Sequence, residues 1–237
     1  MKVKRLSIEE IEASANTLLR EYGEKFGVIA SPPVPMDEIA ECHLGLDIRI
    51  DNLLRLLRRT GVLGAIWIEG QRVMIDTSLD PSIDPSKEGR YRFTLAHEVG
   101  HWILHRLIYL ALSKQSNLFA QDLEPSIVCR DGDSQPIEWQ ANTFAAYALM
   151  PRDMVRGAWE RLRGNLEPYV AEDEIAALSA KRTAGNYLPN TSVARELAKE
   201  FHVSAQAMQI RLTELGLIKL HKGSTELFRK WDQVAVN

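Results

Sequence analysis

The stretch from Thr94 to His105 reads TLAHEVGHWILH and carries three histidines at four-residue spacing, with a glutamate directly after the first. In a helix, residues i and i+4 lie on one face about 6 Å apart along the axis, so His97 and His101 can bind one metal ion. Glu98 lies on the neighbouring flank, within reach of a water at that metal. This H-E-x-x-H pattern is typical of zinc peptidases in which the glutamate is the general base. We therefore predict that His97 and His101 bind Zn²⁺ and that Glu98 is catalytic.

The third histidine of the stretch, His105, is expected to be a packed side chain rather than a metal ligand. It lies two helical turns beyond His97, about 12 Å further along the axis and rotated by about 80°. A side chain at that distance cannot share a metal ion that His97 holds. The chain must therefore supply a further ligand from another element.

Glu138 is the candidate for this further ligand, because a catalytic zinc usually has three protein ligands. It opens the helical segment IEWQANTFAAYALM, directly after a predicted loop. Asn142 lies four residues later on the same face, where it could hydrogen-bond a ligand and orient it. The alternative is that Glu138 is a helix N-terminal acid that interacts favourably with the helix dipole. From the residues alone, the two interpretations are nearly equal.

The elements that must position these side chains can be predicted from periodicity and from Pro and Gly signals. The metal motif is predicted on a helix from Arg90 to about Leu112, and Glu138 on a helix from about Ile137 to Pro151. The other predicted elements are a helix over Ile8–Tyr22, a short helix over Met36–His43, a strand over Leu46–Ile50, a β-hairpin over Gly61–Thr77 and an irregular segment over Ser113–Pro136. An extended substrate could add to an exposed edge of the hairpin.

The last part of the chain has the pattern of a helix-turn-helix, with predicted helices over Val193–Phe201 and Ser204–Leu215. Between Val193 and Lys222, five basic residues face three acidic ones, a net charge of +2. The second helix has Arg211 as its one cation, which is little for anchoring DNA phosphates. A role in packing or protein recognition is therefore favoured over DNA binding.

Composition excludes several broad classes of protein. The 237 residues suit one domain, or one domain with a small appendage, and the net charge of −3 argues against a protein that coats nucleic acid. The first twenty residues lack the apolar stretch of a signal peptide, and no apolar run approaches the roughly 18 residues of a membrane span. We therefore expect a cytoplasmic protein without a membrane partner. Cys42 and Cys129 are expected to be small buried side chains rather than a disulfide.

Two blocks of sequence, RFTLAHEVGHWILH and EWQANTFAAYALMP, together resemble the ImmA/IrrE family of bacterial zinc metallopeptidases. The segment VARELAKEFHVSAQAMQIRLTELGLI resembles the helix-turn-helix-like segment that many members carry. The resemblance runs from about Ile8 to Ile218 and implies an α+β fold. A zincin-like metallopeptidase domain, with a small antiparallel sheet packed on helices, would occupy residues 1–155. An α-helical region would follow over residues 156–237, with the helix-turn-helix-like segment at about 191–220.

Carried over by motif, the resemblance implies that His97, His101 and Glu138 are the zinc ligands and that Glu98 is the general base. Members of the family cut transcriptional repressors of the Xre type, and some are encoded beside such a repressor in toxin–antitoxin-like pairs. The resemblance thus implies a zinc-dependent endopeptidase that cleaves an Xre-type repressor or antitoxin and derepresses genes. We also expect this chain to lack the C-terminal sensor domain of the larger members.

Three questions stay open at this point. The chain could instead be a DNA-binding regulator on an inactive zincin fold, although the intact Glu98 argues against that. It could also be a zinc hydrolase of a small molecule, although the long loops and the tail suit a macromolecular substrate. The donor that assists zinc in binding the oxyanion could be Tyr91, Arg92 or Tyr147, and the sequence does not choose among them.

Overall fold

The computed structural model of the chain describes residues 4–113, 125–130, 135–180 and 189–219. The chain divides into two compact units, of which the first comprises residues 1–30 and 34–149 and the second residues 31–33 and 150–237. The structural division thus falls after Leu149, whereas the sequence-based boundary after residue 155 lies inside the first long helix of the second unit.

The first unit combines helices with a small sheet. Its helices are α1 (Ile8–Phe26), α2 (Met36–Glu38), α3 (Leu53–Leu57), α4 (Glu88–Ser113) and α5 (Pro136–Leu149), with single turns of other helix types at Ile39–His43, Thr77–Leu79 and Pro85–Lys87. α1 begins at a capping box, in which the Ser7 hydroxyl accepts from the Glu10 N–H and the Glu10 carboxylate accepts from the Ser7 N–H. α5 ends at Leu149 because Pro151 disfavours a helical residue before it.

The sheet of the first unit has four strands in the order β1-β3-β2-β4. They are β1 (Asp47–Asp51), β2 (Val62–Trp67), β3 (Arg72–Asp76) and β4 (Ile127–Arg130). The neighbouring pairs are antiparallel except β1 and β3, which run parallel, so the prediction of an antiparallel sheet is wrong for β1. The reason is the connection: α3 leads the chain from β1 to β2, and the hairpin then brings β3 back beside β1.

β4 corrects two further predictions. It lies inside the segment predicted to be irregular, most of which is outside the described residues, and it was missed because it is four residues long and polar residues flank it in the sequence. β4 pairs with β2 while β1 pairs with β3, so both edges of the hairpin are already hydrogen-bonded. The prediction that a substrate strand adds to the hairpin is therefore wrong, because a strand can pair on two sides at most.

α4 and α5 lie unusually close together where the metal motif sits. A Cβ atom on Gly100 of α4 would lie 3.1 Å from Phe144 Cδ1 and 3.2 Å from the Ala141 carbonyl oxygen of α5. Gly100 and Ala141 are small, so the two helix backbones can approach each other at this crossing. As a result, His97 on α4 comes within bonding distance of Glu138 on α5. The same helix α4 packs its other flank on the sheet.

The second unit is mainly helical. Its elements are α6 (Arg152–Arg163), β5 (Tyr169–Val170), α7 (Glu172–Ala180), α8 (Ser192–Phe201), α9 (Ala205–Glu214) and β6 (Ile218–Lys219), and β5 pairs with β6 in parallel. Thr191 caps α8 and Ser204 caps α9, and His202 between them adopts a left-handed conformation with φ of 52°. Across the described part of both units, no helix combines the length and apolarity needed to cross a membrane.

Candidate metal centre

Two histidines of α4 and one glutamate of α5 converge in the interior of the first unit. The Nε2 atoms of His97 and His101 lie 2.9 Å apart. Glu138 places Oε2 at 3.1 Å from His97 Nε2 and Oε1 at 3.4 Å from His101 Nε2. All three side chains are almost fully buried. Two imidazole nitrogens and a carboxylate oxygen are a donor set found in catalytic zinc sites, so this group is compatible with a metal ion.

The hydrogen bond on the far side of His97 fits such an ion. His97 Nδ1 lies 2.9 Å from Asn142 Oδ1 on α5. An amide oxygen only accepts, so Nδ1 carries a ring proton, and Nε2 is the nitrogen that faces Glu138. Asn142, which the sequence indicated as a possible orienting residue, therefore contacts His97. This contact holds the imidazole ring with Nε2 towards Glu138, the orientation that a metal ligand requires.

Glu98 lies beside this group and is completely buried. Neither carboxylate oxygen has a hydrogen-bond partner among the described residues. Burial raises the pKa of Glu98 to about 8, with the charge of Glu138 adding to the effect and His97 opposing it. A buried polar group without a partner is costly, so its persistence indicates a place for water, substrate or an ion.

The sheet accommodates Glu98 through a glycine that sequence reasoning did not identify. A Cβ atom on Gly64 of β2 would lie 2.5 Å from Glu98 Oε1 and 2.7 Å from Thr94 Cγ2. These distances are shorter than real Cβ contacts, so a larger residue would push the carboxylate away. The signal was a single glycine inside a predicted strand, which often marks a close approach of other atoms.

The charges of the group are strongly coupled. Burial alone would raise the pKa of Glu138, but the nearby nitrogens of His101 and His97 outweigh it and lower that pKa to about 2. Burial lowers the pKa of His101 to about 4, although the neighbouring Glu138 opposes this shift. Burial also opposes the charged form of His97, yet hydrogen bonds with Cys129 and Glu138 outweigh it and raise its pKa. Near pH 7, Glu138 is thus ionised and His101 neutral, whereas His97 would release its Nε2 proton when a metal ion binds.

Cys129 is a second feature that the sequence did not indicate. It lies on β4 opposite Gly64, and its sulfur, a nitrogen of His97 and an oxygen of Glu98 all lie within 4.8 Å of one another. The expectation of two small buried side chains is wrong, since Cys129 is half-buried and Cys42 is exposed. Cys129 was missed because its position depends on β4, and Cys42 lies on the outer face of the turn after α2.

His105 is buried, and it lies on the side of His101 that faces away from Glu138. His105 Nδ1 is 3.1 Å from His101 Nδ1, and His105 Nε2 is 3.2 Å from Gln140 Oε1. It does not belong to either group of side chains compatible with a metal among the described residues. Gln140, which is also fully buried, had no distinguishing signal in the sequence.

The three candidates for an oxyanion donor are placed as follows. Tyr91 donates its hydroxyl to Asp37 Oδ1 at 2.7 Å, and Arg92 donates from a terminal nitrogen to the Val34 carbonyl at 2.6 Å. Tyr147 is buried on α5. Tyr91 and Arg92 therefore anchor the segment before and within α2, and Arg92 Nε is a buried donor without a hydrogen-bond partner among the described residues.

Comparison with known proteins bears on the whole of this arrangement. Residues 83–213 match the family model Peptidase_M78, described as an IrrE N-terminal-like domain. No curated protein matches the chain. Among solved structures, a Mycobacterium tuberculosis transcriptional regulator is similar over 88% of this chain, with a TM-score of 0.47 and 15% identity. The chain spans about half of that protein, 52% of its length. Because the family match covers more than half of the chain and includes both histidines, Glu98 and Glu138, the chain belongs to the Peptidase_M78 (IrrE N-terminal-like) family.

Proposed function

We propose that this protein is a zinc-dependent endopeptidase that cleaves one specific protein, an Xre-type repressor or antitoxin. His97, His101 and Glu138 would hold Zn²⁺, and Glu98 would be the general base. Membership of the family points to a metallopeptidase. The observation that carries the proposal is the buried His-His-Glu group directly beside a buried carboxylate without a hydrogen-bond partner among the described residues.

The chemistry assigned to this chain rests mainly on Glu98. When bound, zinc acidifies water and polarises the scissile carbonyl. Glu98 has both oxygens available, so it can accept a proton from the attacking water and return it to the leaving amine. Because Glu98 and the His-His-Glu group are buried, charges within the site interact strongly.

The choice of substrate is supported by the family resemblance and by the character of α9. Arg211 is the one cation of α9, and it is buried, donating to the Met150 carbonyl at 3.1 Å and to Glu214 at 3.3 Å. It is therefore not available to DNA phosphates. Ile210 on the same helix is exposed, which suits an apolar contact with a protein. A repressor substrate would place the protein in the cytoplasm.

The Glu98→Gln variant tests the catalytic part of the proposal. Glutamine keeps the size of the side chain but cannot accept the proton. We expect the variant to retain about one zinc per chain, while cleavage of an Xre-type repressor that the parent protein cleaves falls by about 10²- to 10⁴-fold. Glu24→Gln, an exposed substitution on α1, is the matched control and should cleave normally. Full activity of Glu98→Gln would show that the mechanism is wrong.

The Ile210→Asp variant tests the docking part of the proposal. Measured without DNA, it should cleave the repressor more slowly than the parent protein, with an unchanged zinc content. Casein should be a poor substrate for both proteins, since recognition would depend on docking rather than on a broad cleft. Unchanged repressor cleavage, together with DNA binding that falls steeply with salt, would favour the DNA-binding alternative.

A further inference from the structure

A chain of hydrogen bonds leads away from the metal group on the side of His101 opposite Glu138. His101 Nδ1 lies 3.1 Å from His105 Nδ1, and His105 Nε2 lies 3.2 Å from Gln140 Oε1. Gln140 then donates from Nε2 to the backbone carbonyl of Lys4 at 3.0 Å. The three linked side chains have 1% or less of their surface exposed, so solvent does not compete with these bonds.

The direction of every bond in this chain follows from its last member. A backbone carbonyl can only accept, so Gln140 must present its NH₂ group to Lys4 and its oxygen to His105. His105 Nε2 must then carry a hydrogen. Both partners of His105 are uncharged, and a buried imidazole without a hydrogen-bonded counter-charge is neutral. Its Nδ1 is therefore an acceptor.

The same reasoning determines the protonation of His101. Since His105 Nδ1 accepts, His101 Nδ1 must carry the proton and donate it. The Nε2 lone pair of His101 is then left facing Glu138 and His97. Which ring nitrogen of a histidine binds a metal is set by the hydrogen bond that the other nitrogen makes. For His97, the hydrogen bond to Asn142 determines which nitrogen can bind the metal. For His101, the hydrogen bond to His105 does so.

We propose that His105 is a positioning residue of the metal centre, which together with Gln140 holds His101 in the tautomer that can bind a metal through Nε2. This inference rests on the metal site proposed above but not on the peptidase activity. It gives the third histidine of the motif a role although it is not a ligand. It also connects the metal centre to the backbone before α1, because the carbonyl of Lys4 orients Gln140.

Zinc affinity of three single variants and one double variant tests the proposal. His105→Leu removes the acceptor at similar volume, whereas His105→Asn keeps an oxygen near the place of Nδ1. In a chelator competition, we expect His105→Leu to bind zinc about 10- to 100-fold more weakly, as is typical of losing an outer partner of a ligand. His105→Asn should recover most of this loss. Gln140→Leu should weaken binding in the same direction, and the double variant with His105→Leu should lose less than the sum.

The tautomer of His101 can be read directly. Nitrogen-15 NMR of the full-length protein with the metal removed should show His101 protonated at Nδ1, since the hydrogen bonds through His105 and Gln140 form without a metal ion. A merely structural His105 would leave that tautomer unchanged in His105→Leu, whereas we expect the Nε2-protonated form to appear. His101 protonated at Nε2 in the parent protein would overturn the proposal, even if the variants do not fold well enough for titration.

The outcomes also separate this inference from the proposed function. If the parent protein binds no zinc, the proposed metal centre fails, and the NMR measurement still decides the tautomer. If the parent protein binds zinc and His105→Leu binds it equally tightly while folded, the positioning role alone is wrong. Equal losses in His105→Leu and His105→Asn would likewise contradict the role of the acceptor atom.

Discussion

The α4–α5 pair and the α8–α9 pair both bury polar side chains, but they satisfy them differently. In the second unit, Gln209 accepts from the Thr191 N–H and donates to the Pro189 carbonyl, and Arg211 donates to the Met150 carbonyl. These bonds to the backbone tie loops to a helix. In the first unit, histidine and glutamate ligand atoms face one another, and Glu98 has no hydrogen-bond partner among the described residues.

This difference distinguishes a structural polar group from one reserved for a ligand. A buried group that bonds to the backbone satisfies a fixed requirement of the fold. His97 Nε2, His101 Nε2 and the Glu138 carboxylate instead converge on one another, which is an arrangement that a metal ion could join. We therefore expect substitutions in the first unit to change metal binding and chemistry, and substitutions of Arg211 to change stability alone.

The largest effect is expected for Glu138→Ala. It removes one of three proposed ligands, so zinc affinity should fall by more than the roughly 100-fold that loss of an outer partner can cause. Asn142→Ala removes only the hydrogen bond to His97, so it should lower zinc affinity less than Glu138→Ala does. Zinc content after dialysis measures both. Retention in Glu138→Ala with loss in His105→Leu would reverse the ligand assignment.

The pH dependence of stability in the metal-free protein is the next prediction. The pKa of Glu98 is raised from 4.5 to about 8, so its contribution to stability is complete below pH 4.5 and is lost as pH rises through about 8. Glu98→Gln does not titrate. Above pH 8, we therefore expect it to exceed the parent protein in free energy of unfolding by a few kcal/mol.

Denaturant unfolding with a chelator present, at several pH values, measures this difference. The contribution of Glu138, whose pKa is lowered to about 2, is lost only as pH falls towards 2 and is common to both proteins. The curves should therefore converge near pH 4.5 and separate towards pH 8. A constant difference across that range would mean that Glu98 is not buried in the metal-free protein.

Gly64→Ala should disturb the site without removing any ligand. Its Cβ would lie 2.5 Å from Glu98 Oε1, so the carboxylate must move or the sheet must shift, which costs about 1–3 kcal/mol of stability. Repressor cleavage should fall more than zinc affinity, because Glu98 is displaced rather than a ligand. Gly70→Ala is the control, because its added Cβ atom would lie an unstrained 3.6 Å from Trp67 Cβ. Equal cleavage by the two variants would contradict the close approach.

The smallest effect is expected in the second unit. Arg211→Leu breaks a buried bond to the Met150 carbonyl and should lower the free energy of unfolding by about 1–3 kcal/mol, with zinc content unchanged. Arg195→Leu removes a long, exposed ion pair to Glu174 and should cost less than about 0.5 kcal/mol. Loss of zinc in a folded Arg211→Leu variant would contradict the expectation that buried polar groups of the second unit affect stability alone.

Several parts of this protein could be predicted from the sequence because they depend on local geometry. The helical period places His97 and His101 on one face whatever surrounds them, and the α1, α4 and α5 helices lie where periodicity and Pro151 indicated. The pairing of two motif blocks also identified the family, which the family match confirms. The antiparallel assignment of β1 was wrong because strand pairing depends on how distant segments meet.

The tertiary structure decided what local geometry could not. From the residues alone, Glu138 could equally have been a helix N-terminal acid, and the crossing of α4 and α5 at Gly100 is what brings its carboxylate to the two histidines. Likewise, Cys129 and Gln140 reach the site through β4 and α5, at sequence distances that no periodicity connects. Spacing along a helix determines which side chains can share a ligand, but packing between elements determines which distant side chains complete the site.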